Sequence, residues 1–121
     1  MRGLSRMVLL VPPLTYHLVP RTEWEAADPS QPYQPAAFAQ DGFVHCTDTA
    51  AEVANTANRY FWAVSDELLA LVIDQARLSA PVRYEDPAGI YPHIYGPVER
   101  AAIVHVVIMP RAPDGTFLPP A

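Results

Sequence analysis

The run Leu68-Leu69-Ala70-Leu71-Val72-Ile73 is the stretch on which the fold turns. Successive side chains of a strand point to opposite faces, and no position here is polar enough to face water. The run therefore predicts a central strand covered on both sides. Downstream, Pro81 precedes a short strand, Val82 to Glu85, and the turn Asp86-Pro87-Ala88-Gly89 follows. Ile90 to Gly96 comes next, and Pro97 suits the first position of a short helix running through Ala102. Ile103 to Met109 (IVHVVIM) reads as a last buried strand, with a Pro-rich surface tail from Pro110.

Upstream, Thr49 and Glu52 make a capping box that opens the main helix. Its half-buried stripe is Val53, Ala57, Tyr60 and Phe61. Before it, Asp41-Gly42 is a turn and Phe43 to Thr47 a strand, with Phe43, His45 and Thr47 on one face. Residues 28–36 (DPSQPYQPA) carry three prolines and predict an extended, partly exposed loop. Thr22 and Glu25 form another capping box, for a short helix bearing Trp24. Leu14 to Val19 is a β-type run with Leu14, Tyr16 and Leu18 on one face and Thr15, His17 and Val19 on the other. Strands near both ends and in the middle, without a steady βαβ alternation, predict an α+β domain of small, largely antiparallel sheets.

The 121 residues suit one domain. Half are hydrophobic and 17% are charged, which excludes disorder. Fourteen prolines interrupt the chain too often for a helical bundle. Net charge is −5, and all eight basic residues are Arg, so duplex DNA is not an expected partner. An anionic small molecule held by Arg remains open. One cysteine, Cys46, excludes an internal disulfide and a zinc site built on several Cys. No apolar run reaches the roughly 18 residues of a membrane span. Arg2, Arg6 and the brief run Met7 to Val11 read as a leader over residues 1–13, with Met7 a plausible start. Residues 14–110 are then the domain and 111–121 its tail, in an expected cytoplasmic setting; the oligomeric state is left open.

Three histidines, His17, His45 and His93, stand where strand meets turn, each close to aromatics. An imidazole exchanges protons near neutrality, so each is an acid–base candidate. Each also reads as a core-edge side chain bonded to backbone. His105, in an apolar strand, reads as structural and satisfied by a backbone or side-chain acceptor. Three scattered His could hold a catalytic metal, although no His-x-His or His-x-x-x-His spacing supports it. Cys46 should face away from His45 and be a buried inert thiol. Glu85 could point into a pocket, and Asn58 with Arg59 could meet a phosphate or ribose; hydrated surface is the competing reading for all three. There is no Gly-rich phosphate loop, G-x-S-x-G or H-E-x-x-H.

The succession Tyr16-His17-Leu18-Val19-Pro20, Gly42-Phe43-Val44-His45-Cys46-Thr47, Asn58-Arg59-Tyr60-Phe61 and Tyr91-Pro92-His93-Ile94-Tyr95-Gly96 resembles a small bacterial family, domain of unknown function nine hundred and fifty-two. The likeness runs from about Leu14 to Met109 and implies no established activity. More distantly, the Tyr-His strand, the Gly-Phe-x-x-x-Thr strand and the helix after them resemble the ADP-ribosyltransferase superfamily. RNA 2′-phosphotransferases of that group carry Val-His-Leu-Ser where this chain has Val44-His45-Cys46-Thr47.

This second resemblance implies two small sheets enclosing a cleft, with NAD as a co-substrate. His17 would contact a ribose, His45 and Thr47 would line the nicotinamide or phosphate side, and Tyr60 or Phe61 would stack. The transferases carry a Glu before their closing helix and strand. Here that stretch is Tyr91 to Gly96, without a carboxylate, and Glu85 is the nearest substitute. The resulting expectation is a domain binding NAD or another phosphorylated nucleotide, a transferase with His45, His93 and Tyr95 as its catalytic residues, His45 positioning the ribose or phosphate and His93 and Tyr95 the acid–base candidates. His17, Thr47, Asn58, Arg59, Tyr60 and Glu85 would be ligand contacts. The alternatives are a non-catalytic binding module and a metal-dependent hydrolase using scattered His.

Overall fold

The computed structural model describes residues 13–120, so the expected leader lies outside the described residues except for Pro13. Two small antiparallel sheets make up the α+β architecture. The first has the order β1 (Leu14–Pro20), β3 (Leu68–Asp74), β6 (Ile103–Ile108). The second has the order β2 (Val44–His45), β5 (Pro92–Ile94), β4 (Val82–Tyr84). Helices α1 (Arg21–Ala26), α2 (Phe38–Asp41) and α3 (Ala50–Tyr60) complete the fold with two 3-10 turns. No helix among the described residues is long and apolar enough to cross a membrane.

Alternation along β3 divides the interior into two cores, as the sequence predicted. Leu69, Leu71 and Ile73 pack with Val44 and Ile94 of the second sheet, while Leu68 and Ala70 pack with Val53 and Ala57 of α3. Besides this packing, an isolated backbone bridge among the described residues links β1 to the segment after β2. Tyr16 and Thr47 exchange two backbone hydrogen bonds of 2.8 Å each.

Thr49 caps α3 as expected, its Oγ1 accepting from the Glu52 N–H at 3.2 Å. The Thr22–Glu25 box does not form. Pro20 occupies the N-cap of α1, and the Asp66 carboxylate accepts from both the N–H and the hydroxyl of Thr22 at 2.8 Å. Nor does a helix start at Pro97, because Val98 pairs with Tyr33 and only Arg100–Ala102 coils into a 3-10 turn. That pairing pins the loop of residues 28–36 through a Tyr33 side chain that is almost wholly buried.

β6 is an edge strand rather than a buried one; Val106 and Ile108 are 44% and 49% exposed, and His105 is exposed as well. His105 thus stands on an exposed edge rather than within a buried strand. The chain after Pro110 folds back, and Phe117 enters the core beside Leu18, Val53 and Ala57. Tyr60 leaves the expected stripe of α3 at 70% exposure, and Ala54 joins Val53 and Ala57 among the buried residues.

Candidate functional site

A cavity of about 680 Å³ opens between the two sheets and α3, within the roughly 300–1,000 Å³ of small-molecule sites. Its wall is mostly apolar. Of the expected residues, His17, His45, His93, Thr47, Arg59 and Tyr60 line it.

The second sheet explains how two of the histidines meet. β2 and β5 pair with His45 directly opposite His93, and cross-strand neighbours share a face. Their ring centroids lie 5.4 Å apart. Phe43, two residues before His45, lies parallel to the His93 ring at 3.9 Å and meets the His45 ring edge-on at 4.6 Å.

Each of these rings has a carboxylate behind it. His45 Nε2 is 3.1 Å from Asp41 Oδ2, and His93 Nδ1 is 2.9 Å from Glu85 Oε1. The same Glu85 oxygen accepts from the Tyr95 hydroxyl at 2.5 Å. The Tyr95 bond first, then the His93 bond, holds the Glu85 carboxyl below its ordinary range, so it stays ionised. Glu85 in turn raises Tyr95, by that hydrogen bond first. Neither Glu85 nor Tyr95 lines the cavity. Tyr95 is thus not placed to exchange protons with a ligand; it orients the carboxylate behind His93.

His17 is placed differently. Its Nδ1–H donates to the His45 carbonyl at 2.7 Å, and Nε2 accepts from the Tyr33 hydroxyl at 3.0 Å. Burial lowers its pKa to about 4. A ribose contact through this ring would have to displace one of those bonds, so His17 acts as a neutral strut of the cavity wall. Asn58 is also redirected. Its Oδ1 accepts from the Phe117 N–H at 2.7 Å and its Nδ2 donates to the Phe117 carbonyl at 3.0 Å. This amide fixes the tail and is not among the cavity residues.

Arg59 brings positive charge to the cavity, its guanidinium carbon 5.8 Å from the Tyr60 ring centroid. Hydrogen bonding to Tyr60 first and Tyr91 next raises its pKa. Cys46 faces the interior, and burial pushes its thiol upward, as expected for an inert group. Among the described residues no group of three or more His, Cys, Asp or Glu side chains is placed to hold a metal ion, which removes the support for a scattered three-His metal site. Sequence reading missed Asp41 as a partner of His45. The turn signal at Asp41-Gly42 hid it, since a positive φ of 79° at Gly42 reverses the chain between them.

Residues 18–106 match the model of a family described as "Protein of unknown function (DUF952)". The crystal structure of protein CC0527 from Caulobacter crescentus is similar over 86% of this chain and 92% of that one, at 24% identity and a TM-score of 0.72. The solution structure of the same protein is similar over 84% and 89%, at 25% identity and a TM-score of 0.67. No curated protein matches the chain.

Proposed function

The chain belongs to the DUF952 family of proteins of unknown function, and from that premise we propose that its cavity binds a phosphorylated nucleotide, NAD included, and acts on it. The observation that carries this reading is the gathering of His45, His93 and Arg59 around one largely apolar hollow. An apolar wall suits the faces of a nucleobase or nicotinamide, and a guanidinium suits a phosphate. An ADP-ribosyl transfer would use the same cavity, with Glu23, which lines it, as a carboxylate outside the two His pairs.

Calorimetry with NAD, other nucleotides and phosphorylated metabolites tests the reading. One of them binds, and His45→Ala weakens that binding at least tenfold while the melting temperature stays nearly unchanged. Released nicotinamide on incubation with NAD identifies transfer or hydrolysis at the ribose. A large loss of stability with binding intact would assign His45 to the fold instead. The second reading, a non-catalytic binding module, is favoured by one feature: among the described residues neither His45 nor His93 is hydrogen-bonded to a protein hydroxyl or thiol that it could activate. Tight binding without turnover of any nucleotide selects it.

A further inference from the structure

We propose that His45 and His93 form a general base and general acid that cleave a nucleotide phosphodiester with water, a substrate class that rests on the nucleotide reading above. Both rings carry the same arrangement. One nitrogen donates to a carboxylate, His45 Nε2 to Asp41 and His93 Nδ1 to Glu85. Such a bond fixes the tautomer and steadies the imidazolium when it forms. The second nitrogen, His45 Nδ1 or His93 Nε2, is left for a ligand. Phe43, packed against both rings, holds them at a set spacing on one sheet face.

Among the described residues the ring hydrogen bonds of His45 and His93 go to carboxylates, not to a protein hydroxyl or thiol. The Cys46 thiol faces the core, and the Thr56 hydroxyl donates to the Glu52 carbonyl at 2.9 Å. Attack therefore falls to water. A phosphodiester needs two proton movements at once, removal from the attacking water and delivery to the leaving alkoxide, and two imidazoles on one wall provide both. Arg59 on the same cavity suits the anionic phosphorus centre.

The roles divide by environment. The His45 side chain is 63% exposed and exchanges readily with bulk water; that of His93 is 21% exposed and is backed by an ionised Glu85. His45 Nδ1 takes a proton from water as the new O–P bond forms. The P–O bond to the leaving sugar breaks, and its oxygen takes the proton from His93 Nε2. The products are a phosphomonoester and an alcohol, and solvent returns the proton from His45 to His93.

Two substrates without a 2′-hydroxyl test the assignment: thymidylyl-thymidine and the p-nitrophenyl ester of thymidine 5′-phosphate. Wild-type protein hydrolyses both. His93→Asn loses about 10²–10⁴-fold on the dinucleotide and less than about tenfold on the p-nitrophenyl ester, whose phenolate leaves without protonation. His45→Asn loses heavily on both. In ¹⁸O-water the label enters the phosphate. Equal losses of the two variants on both substrates, label in the sugar, or variants as active as wild type would overturn the proposal. Melting curves confirm that both variants fold, and His45→Gln and His93→Gln repeat the measurement should either fail. Binding of the dinucleotide without cleavage defeats the phosphodiesterase assignment alone, whereas failure of every nucleotide to bind defeats the underlying reading.

Discussion

Burial lowers the His17 pKa from an ordinary 6.5 to about 4, against smaller raising contributions from the His45 carbonyl and Glu23. Its ring is saturated by Tyr33 and by the His45 backbone, so protonation would strand a positive charge in the core. Between pH 6.5 and about 4 the unfolded chain binds a proton that the folded chain refuses. The contribution of neutral His17 is thus complete above pH 6.5 and is lost as pH falls toward 4, amounting to roughly 3 kcal/mol. Urea midpoints measured across that window should decline in the wild type, and His17→Gln should flatten the decline. Parallel curves would place the pH sensitivity elsewhere. At this scale the sequence singled out three rings that share one cavity, but not their states. His17 and His93 look alike in a strand pattern, and only the buried Tyr33, 16 residues away from His17, marks the first as a strut of the wall.

Elements whose pattern is local were legible. The run Leu68 to Ile73 is buried at every position, and the Thr49 cap opens α3 as its spacing implied. Elements that depend on distant chain were not. In α1 the first-turn N–H and hydroxyl of Thr22 are taken by Asp66, 44 residues away, and the local box with Glu25 does not form. The helix expected from Pro97 yields to the Tyr33–Val98 bridge, and the surface tail yields to Asn58, whose amide acts as a one-residue strand for Phe117. β6 matched β3 in apolar content yet lies at an edge, because composition does not report a strand's neighbours. Gly96 offers a test of packing between elements. A methyl there would stand 2.8 Å from the Ala80 Cβ, a stiff neighbour that cannot swing away. Gly96→Ala should cost about 1–3 kcal/mol. Adding Ala80→Gly should recover most of it, and independent, additive effects in denaturant midpoints would show that the two positions do not compete for space.

Over the whole molecule, the candidate site is assembled from strands of both sheets and from α3. That His45, His93 and Arg59 share a hollow follows from pairings across as many as 48 positions, His45 with His93 among them. Strand alternation put Phe43, His45 and Thr47 on one face of their strand, but did not show that β2 would pair with β5. A ligand spanning these parts stabilises the fold as a unit. At 100 times its dissociation constant it should add about 2.7 kcal/mol, read as a rise in melting temperature that His45→Ala largely abolishes. The Tyr16–Thr47 bridge has its own use in such work. Its two amides, bonded at 2.8 Å, are the backbone ladder between the halves of the molecule. Their deuterium uptake in native protein therefore reports the parting of one half from the other, separately from fraying within either. Slowed uptake at these two positions in the presence of a nucleotide would register a molecule lodged across the gap, before any product is sought.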